Sequence, residues 1–222
     1  MRNAVKYIVG RTWQPLLVKY LSKTRSYRYE DIQLEIPSTV FHPGFFFSSK
    51  LLLRQLKELP LKDKSLLELG AGSGLISIYA ATHGAHVTAT DINPDAIECI
   101  KKSSQANNVS PSIIESDLFQ KLPAQAFDII AINPPYYKKQ PATYADYAWC
   151  CGEKGEYFQK LFADLKNYMH PATITLMILC DGCDINMVNA MAEQNDLIMK
   201  CVFASQNLLE KNFIYQIRAE RK

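Results

Sequence analysis

Ser65-Leu66-Leu67-Glu68-Leu69-Gly70-Ala71-Gly72-Ser73-Gly74-Leu75-Ile76-Ser77 sets a short apolar run, one acidic residue and three alternating glycines directly before a second apolar run. The first run is strand length, and residues 75–83 continue at helical spacing. Between them, Gly70, Gly72 and Gly74 bring backbone N–H groups and a helix N-terminus close to a ligand with no side chains in the way. A dinucleotide fingerprint needs its third glycine at position 75, which is Leu75. The spacing therefore speaks against a nucleotide-dependent oxidoreductase.

Outward from this turn, residues 86–90, 112–115 and 127–132 read as strands, with a helix over residues 94–107. A helix over 155–169, a buried strand over 173–180, a helix over 185–194 and strands over 197–204 and 213–219 complete the pattern. Strands and helices alternating at these lengths predict βαβ units in a mostly parallel α/β sheet with helices on both faces. The last two strands share a short polar link and should form an antiparallel hairpin at the sheet edge.

Upstream, Val5, Ile8, Val9, Leu16, Leu17, Tyr20 and Leu21 recur at helical spacing. Arg2, Lys6, Arg11, Lys19, Lys23, Arg25 and Arg28 all precede the first acidic residue, Glu30, and the remainder carries 18 basic against 22 acidic residues. The expectation is a basic amphipathic helix packed on the body, offering its charged face to an anionic partner. Tyr29, Ile32, Leu34 and Ile36 read as extended structure closed by Pro37, and Ser48 or Ser49 as the cap of a helix reaching residue 59. The domain reading is an N-terminal extension over residues 1–60 and a catalytic domain over residues 61–222.

With 222 residues, 48% of them apolar and 21% charged, the chain can bury one sizeable core. No apolar run approaches the ~18 residues of a membrane span, and no secretory signal is evident, so no membrane is expected and the default location is cytoplasmic. The six cysteines, Cys99, Cys150, Cys151, Cys180, Cys183 and Cys201, read as reduced thiols. Cys180 and Cys183 have C-x-x-C spacing but lack the two further ligands of a zinc site, so no metal is expected.

Asp91 ends the second strand, where a carboxylate can accept both hydroxyls of a ribose, and Ile92 behind it can pack on a base. Asp117, with Leu118, follows the third strand at the same edge and can accept an exocyclic amine. Asn133-Pro134-Pro135-Tyr136 follows the fourth. The Asn133 side-chain carbonyl can accept a hydrogen bond from a planar N–H₂ group. The prolines hold extended backbone and leave the Pro134 carbonyl free to accept the second N–H. Two acceptors on one amino group orient a poorly nucleophilic nitrogen, and Tyr136 offers a ring to stack on it.

Glu68-x-Gly70-x-Gly72-x-Gly74 with Asp91 at the end of the next strand resembles the class I S-adenosylmethionine-dependent methyltransferases. The likeness covers roughly residues 60–222 and implies a Rossmann-like seven-stranded sheet with a reversed terminal hairpin. It also implies S-adenosyl-L-methionine as cofactor, with Glu68, Gly70, Gly72 and Gly74 bordering the methionine moiety, Asp91 the ribose and Asp117 the adenine. Asn133 to Tyr136 is similar to the NPPY motif of enzymes that methylate glutamine amides, adenine N6 or guanine N2. Val40 to Ser49 and Gly152-x-x-Gly155 resemble the HemK/PrmC group, which implies a protein acceptor, a release-factor-like glutamine. The methyltransferase small domain RNA enzymes, which act on guanine N2 or adenine N6, are the alternative. For them Tyr137, Lys138, Lys139, Tyr144, Tyr147 and Trp149 would stack and charge a pocket for a flipped base. A non-catalytic partner protein with the same fold is a remoter reading.

Overall fold

The computed structural model describes residues 22–45, 47–207 and 210–220. The amphipathic helix expected over residues 5–21 lies outside the described residues, as does Phe46.

Two strands, β1 (Arg25–Tyr29) and β2 (Ile32–Ile36), form an antiparallel hairpin, then α1 (Phe47–Leu56) leads into the sheet. The sheet elements are β3 (Ser65–Leu69), α2 (Leu75–Thr82), β4 (His86–Asp91), α3 (Pro94–Ala106), β5 (Ser112–Glu115) and β6 (Phe127–Ile132). There follow α4 (Glu156–Leu165), β7 (Met169–Cys180), α5 (Ile185–Glu193), β8 (Leu197–Gln206) and β9 (Lys211–Ala219). Seven strands lie in the order β5-β4-β3-β6-β7-β9-β8. Neighbours from β5 to β7 are parallel, whereas β9 runs antiparallel to both β7 and β8. This is the Rossmann-like sheet with a terminal hairpin.

The period of two is visible in how the strands divide between two cores. Leu66, Ile129, Ala131, Leu176 and Ile178 face one side, with α1, α2 and the buried face of β2. Leu67, Leu69, Ile130, Ile132, Met177 and Leu179 face the other, with α4 and α5. Both faces are covered, which is why these strands read as continuous apolar runs. Helix α4 puts Phe158, Leu161, Phe162 and Leu165 fully out of solvent; each such side chain contributes roughly 1.5–3 kcal/mol.

Several boundaries move. The helix expected to reach residue 169 stops at Leu165, passes through one 3₁₀ turn, and β7 already begins at Met169. Pro171 pushes His170 into extended backbone, and Thr173 Oγ1 ties the start of β7 down by donating to the Phe127 carbonyl at 2.6 Å. The extended segment before Pro37 is one arm of a hairpin whose first strand carries Arg25 and Arg28, so these two cations sit on a strand. The hairpin is bolted to α3 by the Asn107 side chain, which accepts from Gln33 N at 3.0 Å and donates to Gln33 O at 2.7 Å. No helix among the described residues is long and apolar enough to cross a membrane.

Candidate functional site

Strand order reverses about β3: the chain leaves it for β4 on one side and returns beside it as β6. Open α/β sheets bind ligands outside the carboxyl ends of strands at such a switch point. Asp91, Asp117 and Asn133 all emerge from that edge, and they meet in one cleft of about 1180 Å³ counting its open mouth. Glu68, Gly70, Gly72, Ile92, Leu118, Pro134, Pro135 and Tyr136 line the same cleft. Of the cofactor-binding and acceptor-handling residues read from sequence, Gly74 alone is not on its wall; of the residues read as a pocket for a flipped base, Tyr144, Tyr147 and Trp149 line it and Tyr137, Lys138 and Lys139 do not.

The glycine turn owes its shape to left-handed backbone, with φ of 68° at Gly70, 53° at Gly72 and 74° at Gly74. Gly74 starts α2, and a Cβ on it would stand 2.9 Å from Ile100 Cγ1, so it serves packing beneath the cleft. At Gly70 a Cβ would meet nothing within 4 Å, and at Gly72 only Phe41 Cβ at 4.0 Å. The turn thus leaves a cradle of open space over bare backbone. Asp91 stiffens it: Oδ2 accepts from Gly72 N and Oδ1 from Asn93 N, both at 2.8 Å. Burial still pushes the Asp91 carboxyl above its ordinary pKa, outweighing those amide bonds. A carboxylate accepts up to about four hydrogen bonds, so capacity remains for vicinal hydroxyls.

Glu68 is buried, and its Oε2 accepts from Ser77 N at 2.8 Å and from Ser77 Oγ. Burial, with a smaller push from Asp91, raises its pKa to about 8 against the pull of Ser77. Asp117 Oδ2 accepts from Lys160 Nζ at 2.6 Å and Gln120 Nε2 at 3.3 Å, leaving Oδ1 for an incoming amine. Glu68 thus keeps its proton at neutral pH, and the acidic side chains of the cradle serve a ligand as hydrogen-bond partners rather than as three negative charges.

Beyond the acids lies Asn133. Its Nδ2 donates to Ser48 Oγ at 3.3 Å and Ser49 Oγ at 3.1 Å. Sequence reading took these serines for helix caps, but α1 begins at Phe47, so they fall inside its first turn and serve Asn133 instead. With the amide nitrogen engaged, Oδ1 is the end left to accept. Tyr136 N and Tyr137 N both donate to Trp149 O, at 3.0 and 2.8 Å, fixing the strip after the prolines. The Tyr136 hydroxyl contacts the Cys180 thiol, and burial pushes its pKa up, so it stays neutral.

Thr39, Val40 and Phe41, together with Tyr144, Tyr147, Ala148 and Trp149, also line the cleft. Phe41 and Trp149 rings meet at 5.1 Å, and Tyr137 stacks over Trp149 at 6.5 Å. From the aromatic segment after Val40, Phe41 alone of the described phenylalanines reaches the cleft. Phe45 and Phe47 are exposed, and His42 turns inward against Tyr27. Lys138 is paired with Asp184 at 3.0 Å. Sequence reading missed Thr39, Asn93, Tyr157 and Glu210 as lining residues. Asn93 had a signal, because Asn-Pro is a helix start; the others had none.

Residues 37–150 match the family described as methyltransferase small domain. A putative protein N5-glutamine methyltransferase of Methanocaldococcus jannaschii is 37% identical over 146 residues, 63% of this chain and 72% of that protein. Ribosomal RNA small subunit methyltransferase C of Chromohalobacter salexigens is 33% identical over 125 residues, 53% of this chain but only 36% of that protein. Among solved structures, the Thermus thermophilus 16S rRNA N2 G1207 methyltransferase, in complex with AdoMet and guanosine, superposes with a TM-score of 0.63 at 18% identity, covering 90% of this chain and 50% of that one.

Proposed function

The chain belongs to the methyltransferase small domain family and is an S-adenosylmethionine-dependent methyltransferase, and from that premise we propose that its acceptor is a planar nitrogen, favouring the side-chain amide of a protein glutamine in the manner of the HemK/PrmC group. The observation that carries the reading is the tethered Asn133 amide, whose nitrogen is held by Ser48 and Ser49 so that its oxygen is left to accept. The residues present fit the cofactor: bare backbone at Gly70 and Gly72, and acceptors at Asp91 and Asp117. When bound, S-adenosylmethionine supplies an electrophilic methyl on a positively charged sulfur.

In this reading Asp91 takes the ribose hydroxyls, Ile92 and Leu118 pack on the adenine, Asp117 takes its amine, and Glu68 with the glycine turn borders the methionine end. Asn133 Oδ1 and the Pro134 carbonyl accept the two hydrogens of the acceptor N–H₂ group. They orient its nitrogen and hold those hydrogens as positive charge develops, before one proton leaves to solvent. Pro135 keeps the strip extended, and Tyr136 presents its ring to the planar group. No strong base is required, and the neutral Tyr136 phenol supplies none.

The glutamine acceptor is supported by the 37% identical relative and by the cleft's charge, since Glu210 lines its wall and no lysine or arginine among the described residues does. An RNA base, through guanine N2 or adenine N6, is the second reading, favoured by exposed Tyr144 and Tyr147 beside the Tyr137–Trp149 stack. In the proposed organisation residues 1–60 form an extension packed on the catalytic domain over 61–222, and the basic N-terminal stretch offers a surface to an anionic partner. A cytoplasmic location goes with the six unpaired thiols. The test is transfer of radiolabelled methyl from S-adenosylmethionine into cell extract fractionated into protein and RNA. Label should enter a protein band and survive ribonuclease. Label confined to RNA would overturn the choice of acceptor.

A further inference from the structure

The phenol of Tyr157 is a polar group that the folded chain itself leaves unsatisfied. Tyr157 is the second residue of α4 and lines the cleft. Its backbone is fixed by donation from Tyr157 N to Cys151 O at 3.0 Å. Gly155, two residues before it, has a φ of 75°, and a Cβ there would stand 2.7 Å from Met187 Cε. The chain therefore turns tightly against α5 before the helix starts, which sets the side chain. The Tyr157 ring meets Phe158 edge-on at 5.3 Å.

Its hydroxyl is shut off from solvent and has no hydrogen-bond partner. Ser103 and Thr175 carry the other such oxygens among the described residues, and neither lines the cleft. Proteins keep few unpaired buried polar atoms because each forfeits its water without replacement. Burial and the nearby carboxylates of Asp91 and Asp117 push the Tyr157 pKa up. The hydroxyl therefore keeps its proton at neutral pH and is available as a donor.

We propose that the Tyr157 hydroxyl is a ligand of the bound cofactor, donating a hydrogen bond to a ring nitrogen of its adenine. The proposal rests on the S-adenosylmethionine reading of the cleft. Asp91 and Asp117 are acceptors, matched to the ribose hydroxyls and the exocyclic amine, which are donors. The adenine ring nitrogens between those two groups are acceptors, which neither carboxylate can pair. Tyr157 supplies a donor beside both acids that no group of the folded chain engages. The hydroxyl orphaned in the free protein is then satisfied in the complex.

The test titrates wild-type protein and Tyr157→Phe by calorimetry with S-adenosylhomocysteine and with its 1-deaza, 3-deaza and 7-deaza adenine analogues. The substitution should weaken S-adenosylhomocysteine binding about 5- to 30-fold, the loss expected for one hydrogen bond to a buried acceptor. One deaza analogue, the one lacking the acceptor, should bind both proteins equally. Thermal unfolding without ligand should be unchanged or higher in the variant, which has lost an unsatisfied hydroxyl and kept the ring. Equal affinity of the two proteins for S-adenosylhomocysteine overturns the role of Tyr157, as does a loss that persists with all three analogues. Failure of the wild-type protein to bind S-adenosylhomocysteine at all overturns the cofactor reading and this proposal with it, and that outcome is legible from the wild-type titration alone.

Discussion

Replacing Glu68 by glutamine should change how stability depends on pH. In the folded protein burial raises the carboxyl from 4.5 to about 8, with Asp91 adding to the rise and the two Ser77 donors opposing it. At about 1.4 kcal/mol per pKa unit, that displacement caps the linkage at roughly 5 kcal/mol. Because the folded pKa lies above the unfolded one, the sign is the reverse of an ordinary ion-paired carboxylate. Below about pH 4.5 both states hold the proton and Glu68 contributes no slope. Between about pH 4.5 and 8 the unfolded chain gives up a proton that the folded protein keeps, so unfolding becomes easier as pH rises. Above about pH 8 the folded carboxyl ionises too and the loss levels off. Glutamine cannot titrate, yet its carbonyl can still accept from Ser77 N and Oγ. Urea unfolding of both proteins, without ligand, at pH 5.5, 7 and 8.5 isolates this one group, because every other titration is shared. The variant should gain on wild type by several kcal/mol across the range. Parallel curves would refute the reasoning, since they would mean that Glu68 is ionised in the folded protein and that burial does not govern it.

Asn133→Ala should bind S-adenosylhomocysteine within about threefold of wild type by calorimetry while methyl transfer falls about 10²- to 10³-fold, the usual loss of a preorganised polar partner of the reacting group; normal turnover would end the acceptor-handling account. Joint replacement of Ser48 and Ser49 by alanine removes both tethers on Asn133 Nδ2 and should lower kcat about 3- to 30-fold without altering cofactor affinity. A fall in cofactor affinity instead would show that the serines act elsewhere. Gly74→Ala combines a φ of 74° with a Cβ 2.9 Å from Ile100 and should cost about 2–4 kcal/mol in thermal unfolding without ligand. Gly70→Ala, strained in φ but open in space, should cost less, and equal costs would discredit the packing argument at Gly74.

The alternation of strands and helices was legible because each parallel strand is covered on both faces, which forces continuous apolar runs, and because glycine and proline punctuate their ends. Asp91, Asp117 and Asn133 were legible for a related reason: each immediately follows a strand, and the carboxyl ends of parallel strands share one edge. The end of α4 was misjudged because Tyr168 and Met169 continue its apolar spacing, and only the pairing of Phe127 with Met169 in the sheet shows where β7 begins. Ser48 and Ser49 were given the local role that serines before a helix usually have.

What the sequence determined by itself is therefore the set of elements and the chemistry carried at their ends, since both follow from interactions spanning a few residues. The tertiary structure decided which side chains from remote elements meet there. It brought Ser48 and Ser49 to an amide 85 and 84 residues away, set Phe41 against Trp149 in the cleft wall, and left the Tyr157 hydroxyl alone beside two acids. Such pairings depend on strand order and on how helices lean over a sheet edge, and no local pattern in the chain encodes either.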